Sequence, residues 1–384
     1  MALIAAGTAV LDGQVCRPGW LETSGERIVA CGAGAPPGRI DSDFPEGVAV
    51  PGFVDMHVHG GGGASYTDSH VDAGQITAAA DFHLRHGTTT TLASLVTAAP
   101  GPLLAGVRAL ADATRRGAIA GIHLEGPWLS RARCGAHDPT QLREPDPAEI
   151  EDLLVAGGGA IRMVTLAPEH PGSGEAIRRL RDAGVVVALG HTDATYDQTA
   201  AALALGASVG THLCNAMPPL DHRAPGPVLA LLEDPGVTVE LIADGVHLHP
   251  AVAAAVVRIA GPHRVAAITD AIAAAGCADG PFQLGTVPVD VASGVARVRD
   301  TSTIAGSTAT MDRLFRNLVK FGAVGFGADP EASLSAAVQL TSATPARALG
   351  LEGVGALRAG YTADVVVLDR DLRVSAVMTR GAWR

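Results

Sequence analysis

Apolar, β-branched runs alternate along the chain with alanine-rich stretches of helical period, the pattern of a parallel α/β fold. Eight runs have strand length: Phe53 to His59, Thr89 to Val96, Ile119 to Glu125, Ile161 to Ala167, Val185 to His191, Ser208 to Cys214, Val237 to Ala243 and Val265 to Asp270. Helical segments such as Asp72 to His86 and Ala251 to Ile259 separate them. That count predicts a (β/α)8 TIM-like barrel. An open doubly wound sheet is the alternative, but no G-x-G-x-x-G turn follows the first strand, so a dinucleotide crevice has no support. The flanks read differently. Residues 1–50 and 353–384 are rich in Gly, Thr and Val with turn signals, and Gly360 to Asp369 reads as a turn feeding a short buried strand. The two ends are expected to form one discontinuous β-sandwich domain beside a barrel of residues 51–352, entered through the stiff turn Pro51-Gly52.

The polar residues cluster where apolar runs end. These ends are Asp55-Met56-His57-Val58-His59, His123-Leu124-Glu125-Gly126-Pro127, Leu189-Gly190-His191-Thr192, Thr211-His212-Leu213-Cys214-Asn215, Ala243-Asp244-Gly245 and Thr269-Asp270-Ala271. In a (β/α)8 barrel the carboxyl ends of all strands converge on one mouth, where catalytic groups lie. His57 and His59, two apart on a strand, point to the same side and can meet one cation. An isolated H-x-H is also compatible with two satisfied core histidines. With Glu125, His191, His212 and Asp270 on the same rim, four imidazoles and two carboxylates make a borderline-soft divalent site. Six side chains exceed what one tetrahedral zinc needs while leaving room for water, so two ions with a bridging carboxylate are expected.

Composition narrows the class. The 384 residues are 47% hydrophobic and 17% charged, which suits an ordered globular chain with a sizeable core. Of 28 basic residues only Lys320 is a lysine, which excludes a Walker A loop and disfavours Schiff-base chemistry. The formal charge of -11 argues against nucleic acid or an anionic membrane as partner. No apolar run reaches the roughly 18 residues of a membrane span. Met1-Ala2-Leu3-Ile4 carries no basic start and Asp12 follows early, so no signal peptide is expected. The five dispersed cysteines form no C-x-x-C pair and fit a reducing cytoplasm.

Other positions read as structural. Gly60 to Gly63 is expected to be a flexible loop, Thr88 to Thr91 a buried strand, and His83 and His86 helix-surface groups. Cys134 reads as a loop thiol. Ser307 lacks a histidine–acid partner in the pattern and is not a nucleophile candidate.

Taken in order, the motifs resemble a known family. Pro51 to Gly60, Gly121 to Pro127, Gly190 to Thr195, Thr211 to Met217, Asp244 to His247, Thr269 to Ala271 and Ala305 to Ser307 are similar to those of N-acetylglucosamine-6-phosphate deacetylases, in the amidohydrolase superfamily. The resemblance covers nearly the whole chain and implies a barrel with a small β domain from both termini. It implies Glu125, His191 and His212 as ligands of the common metal and His57 and His59 as ligands of a second, with Glu125 bridging. Zinc is the leading candidate. No lysine falls on a barrel strand, so lysine-bridged hydrolases are poor matches. Asp270 would orient the attacking water, accept its proton and return it to the departing amine; as a non-catalytic alternative it reads as a helix N-cap. His137 resembles a family histidine that contacts the sugar or the reacting carbonyl. Asn215, Ala216, Arg223 and His247 would bind the phosphosugar, Arg223 reaching into a neighbouring subunit's site of a homodimer. The expected reaction is deacetylation of N-acetylglucosamine 6-phosphate in amino-sugar catabolism or wall recycling. The galactosamine epimer, another N-acyl compound and a non-catalytic metal-binding barrel are the alternatives.

Overall fold

A computed structural model describes residues 1–67, 72–325 and 329–384. Its centre is a parallel sheet of eight strands whose spatial order follows chain order: Phe53–Val58, Thr88–Leu95, Gly121–Glu125, Ile161–Leu166, Val186–Leu189, Val209–Gly210, Thr238–Leu241 and Val265–Ala267. Every run expected from the sequence contributes one strand, seven of them shortened and the second shifted back one residue to start at Thr88. The ladder stops between the eighth and first strands, and loop bonds complete the ring beyond it. The Asp270 amide donates to the His57 carbonyl (2.9 Å) and the His59 amide to that of Ala271 (2.8 Å). At the same seam the Thr269 hydroxyl donates to the buried Asp55 carboxylate (2.5 Å).

Helices lie between the strands, as a parallel crossover requires. Their starts follow capping chemistry: Asp72 accepts from the Gln75 amide, and Thr195 with Gln198 forms a reciprocal capping box. Val54, Met56, Leu92, Met163, Val209 and Ile268 fill the barrel interior, so it is a packed core and not a pore.

The chain ends meet in one eight-stranded sheet. Ala2–Leu11 runs parallel to Ser42–Pro51, which pairs antiparallel with Val365–Leu368 through Val50↔Val366. Ile4, Leu21, Ile28, Val365, Val367 and Met378 form a separate apolar cluster there. Among the described residues no helix is long and apolar enough to cross a membrane.

Four expectations change. The sixth run shortens to Val209–Gly210 because His212 and Cys214 turn into left-handed backbone (φ 26° and 76°). A three-stranded antiparallel sheet, Gly280–Leu284, Val287–Ala292 and Val295–Val298, follows the eighth barrel strand and was not anticipated. Gly60–Gly61 is no flexible loop but a buried ribbon paired with Ala64–Ser65. His83 is not on the surface: it is fully buried, its Nε2 2.8 Å from the Gly60 carbonyl. His86 stays partly exposed and pairs with Asp312.

Candidate metal centre and active site

The strand ends bring six expected groups together at the carboxyl-terminal mouth. His57, His59 and Asp270 form one group and Glu125, His191 and His212 a second, all buried, with ligand atoms in each group mutually within 4.8 Å. Glu125 lies between them. Its Oε1 is 3.1–3.4 Å from His57, His191 and His212, and its Oε2 is 3.2 Å from His59. Asp270 Oδ1 is 3.2 Å from His59 Nε2 and 3.5 Å from His57 Nε2.

Proton bookkeeping tests whether these groups suit a cation. The His57 Nδ1 donates to Glu240 Oε2 (3.0 Å), and the His59 Nδ1 donates to the Ser94 carbonyl (3.2 Å). Each neutral ring therefore presents its Nε2 lone pair, yet these two nitrogens are 3.1 Å apart. His191 repeats the pattern, donating through Nδ1 to the Arg133 carbonyl (2.8 Å) with Nε2 3.0 Å from His212 Nε2. Facing lone pairs repel unless a proton or a cation sits between them. Nitrogens about 3.4 Å apart are what a tetrahedral ion with bonds of about 2.1 Å imposes. The donor set fits divalent metal.

Electrostatics point the same way. Burial pushes His57 and His59 down, but Glu125 and Glu240 on the first, and Asp270 and Glu125 on the second, outweigh it and hold both rings above the usual histidine range. Burial likewise pushes Glu125 up, and the surrounding histidines pull it well below the ordinary carboxylate range. For Asp270 the contest between burial and the His59 and His57 rings ends at about 2. Positive charge is favoured here, and no arginine or lysine pairs with these carboxylates among the described residues. Three of the six groups occupy backbone an L-residue enters at a cost: His191 (φ 46°), His212 (φ 26°) and Asp270 (φ 48°).

His137 differs in kind. Its Nδ1 accepts from the Thr97 amide (3.3 Å), which places the ring proton on Nε2, 3.3 Å from Glu125 Oε2. It is a donor and not a lone-pair ligand in this geometry. Burial and the neighbouring His191 lower it to about 4, so it is neutral at neutral pH.

A cavity of about 420 Å³ opens above these groups. His59, Glu125, His137, His191, His212 and Asp270 line its floor, and Asn215, Ala216 and His247 its wall. The His247 Nδ1 donates to Asp244 (2.8 Å); burial lowers this histidine, and Asp244 outweighs burial and raises it, favouring the imidazolium that an anion needs. The Asn215 amide donates to the His212 carbonyl (3.0 Å). Gly306 closes against Asp270: a Cβ there would stand 2.7 Å from the Asp270 carbonyl oxygen. Arg223 does not line its own chain's cavity; it sits exposed in a loop turned by Asp221.

Sequence reasoning assigned no role to several residues at or behind the cavity. Arg133 lines the cavity and its Nε donates to Asp193 (2.8 Å). Leu284 and Ser302 to Ile304 reach it from the inserted sheet and the turn after it. His123, two residues before Glu125, is buried below the floor, bonded to Ser94 and Thr165; burial and the His57 ring hold it well below the usual range, so it is a neutral core group. Glu240 stands behind His57. Ser307 spends its hydroxyl on the Thr269 carbonyl (2.5 Å), in keeping with a structural role.

The amidohydrolase family profile matches residues 48–384. The chain belongs to the amidohydrolase family. Within that family it is 38% identical over 336 residues to an N-acetylgalactosamine-6-phosphate deacetylase of Escherichia coli O157:H7, covering 86% of each chain. It is 33% identical to an N-acetylglucosamine-6-phosphate deacetylase of Lysinibacillus sphaericus, covering 87% of this chain and 85% of that one. Among solved structures, N-acetyl-D-glucosamine-6-phosphate deacetylase from Mycobacterium smegmatis is 52% identical and superposes with a TM-score of 0.96 over 100% of both chains. The amidohydrolase fold explains the barrel, and membership makes a metal-dependent hydrolase of this chain.

Proposed function

We propose that this amidohydrolase cleaves the acetamide of N-acetyl-D-glucosamine 6-phosphate to D-glucosamine 6-phosphate and acetate. The observation that carries the reading is the pair of lone-pair histidine groups joined by Glu125, floored into a cavity that also holds Asp270 and the anion-suited His247. N-acetylglucosamine-6-phosphate deacetylases among the similar proteins support the substrate. Two divalent cations, zinc foremost, match the two ligand groups, His57 with His59 and Asp270, and Glu125 with His191 and His212.

A divalent cation in such a site lowers the pKa of water towards neutrality and polarises an amide carbonyl. The protein's own groups do the rest. Asp270 takes the proton of the attacking water and returns it to the leaving amine, which cannot depart as an anion. His137, with its proton on Nε2, donates to the carbonyl oxygen as charge develops there. His247 and the Asn215–Ala216 turn hold the sugar phosphate. Arg223, exposed on its loop outside its own cavity, is free to complete the phosphate pocket of a partner in a homodimer. A cytoplasmic place in amino-sugar catabolism or wall recycling accords with this chemistry.

The second reading is the galactosamine epimer, favoured by the 38% identity to the Escherichia coli enzyme. Acetate release from N-acetylglucosamine 6-phosphate, its galactosamine epimer and unphosphorylated N-acetylglucosamine, run side by side, tests both. Highest kcat/KM on the first supports the proposal, preference for the second replaces the substrate, and indifference to phosphate removes the roles of His247 and Arg223.

A further inference from the structure

A glutamate in the middle of a parallel barrel strand calls for a cause, because glutamate is almost never fully buried without a partner. Glu240 sits on Thr238–Leu241 between Val239 and Leu241 with no exposed surface. Its one ion pair among the described residues is with His57. Its Oε2 accepts two hydrogen bonds, from the His57 ring Nδ1 (3.0 Å) and from the His212 backbone amide (3.1 Å). Its Oε1 is buried without a partner. His57 belongs to one ligand group and His212 to the other. One oxygen therefore grips both halves of the site.

The two grips differ. On His57 the carboxylate fixes the proton at Nδ1, so the Nε2 lone pair faces the site and gains basicity. On His212 it pairs an amide whose residue lies at φ 26°, and without it that buried N–H would lose its acceptor in a strained backbone. Packing alone would be served better by valine or isoleucine, the residues that parallel strands favour.

We propose that Glu240 is a positioning residue that ties the two halves of the metal site together, setting cation affinity through the His57 ring and the His212 backbone. It touches neither substrate nor the reacting atoms. The inference rests on the metal reading above. Replacing such a carboxylate behind a ligand imidazole costs about 10–100-fold in metal affinity.

Glu240→Gln and Glu240→Ala separate the contributions. Glutamine keeps a neutral oxygen for both donors, whereas alanine removes the acceptor. Zinc is the probe: the metal-free proteins are reloaded with zinc and titrated against a chelator, with circular dichroism and thermal midpoints recorded with and without zinc. The expected result is zinc affinity about 10-fold to 100-fold weaker in the glutamine variant and weaker again in the alanine variant. The zinc-dependent rise in thermal midpoint shrinks in parallel, while the metal-free midpoint of the glutamine variant stays close to that of the unsubstituted protein. Folded variants that bind zinc as tightly as the unsubstituted protein overturn the proposal. So does an equal fall of metal-free and zinc-loaded midpoints, the mark of a packing role alone. If the alanine variant does not fold, the glutamine variant decides. An unsubstituted protein that binds no zinc removes the metal reading itself, an outcome distinct from failure of the Glu240 role.

Discussion

His137 is the position where ligand and donor readings diverge most clearly, and His137→Asn separates them. With Nδ1 occupied by the Thr97 amide, the ring offers only an N–H to the site. Losing one hydrogen bond to a charged or charge-developing group costs about 1.5–3 kcal/mol, and loss of one oxyanion donor about 10²–10³ in kcat. The expected effect is a fall of about 10²-fold in kcat with KM little changed and metal content intact. Asparagine Oδ1 stands where the ring Nδ1 did and still accepts from the Thr97 amide, so folding stability in denaturant unfolding should change little while the Nε2–H donor is lost. Because burial and His191 hold His137 at about 4, the ring is neutral through the physiological range, and the variant should keep the shape of the parent's pH–rate profile between pH 5 and 8. Steady-state kinetics and elemental analysis of one preparation give the answer. Loss of a metal equivalent would make His137 a ligand, and an unchanged kcat would remove it from the chemistry.

Arg223→Ala should raise KM for the phosphosugar alone, leaving the unphosphorylated sugar unaffected, and size-exclusion with light scattering should show a dimer; an equal KM change for both sugars contradicts the assignment. Asp312 is pushed up by burial, but His86 (3.2 Å), Thr310 (2.5 Å) and Arg316 (2.8 Å) outweigh this and depress its carboxyl. A depressed carboxyl contributes stability above its unfolded pKa and loses it as pH falls through the folded value. Asp312→Asn should therefore cost about 1.5–3 kcal/mol at neutral pH and nothing in strong acid, measured as thermal midpoints against pH. Phe315, fully buried with its ring 5.4 Å from that of Phe53, should cost about 3–5 kcal/mol when cut to alanine, read in denaturant unfolding.

The barrel was legible because each strand is a short apolar run and its polar end marks the mouth. His57, His59, Glu125, His191, His212 and Asp270 stand at such ends, and the structure gathers all six. Glu240 escaped for the opposite reason: it lies inside its strand, where the reading attended to ends. The inserted sheet left a signal that went unused, since Val287, Val289 and Val291 alternate with Pro288, Asp290 and Ala292 in the period-two pattern of a half-buried strand. The shortened sixth strand could not be read, because a left-handed turn at His212 depends on contacts from Glu240, 28 residues away. His83 was misjudged from its helix, since only the folded Gly60 carbonyl shows where its face points.

Metal-linked turnover on a phosphosugar is the central claim, and acetate release from N-acetylglucosamine 6-phosphate tests it most directly. The protein is assayed as purified, after chelation, and after return of zinc, with metal counted at each stage. Activity that disappears with the metal and returns with up to two equivalents of zinc per chain is the predicted result. Acetate release that survives complete metal removal, or silence of the fully loaded protein on the gluco and galacto phosphosugars alike, contradicts the account.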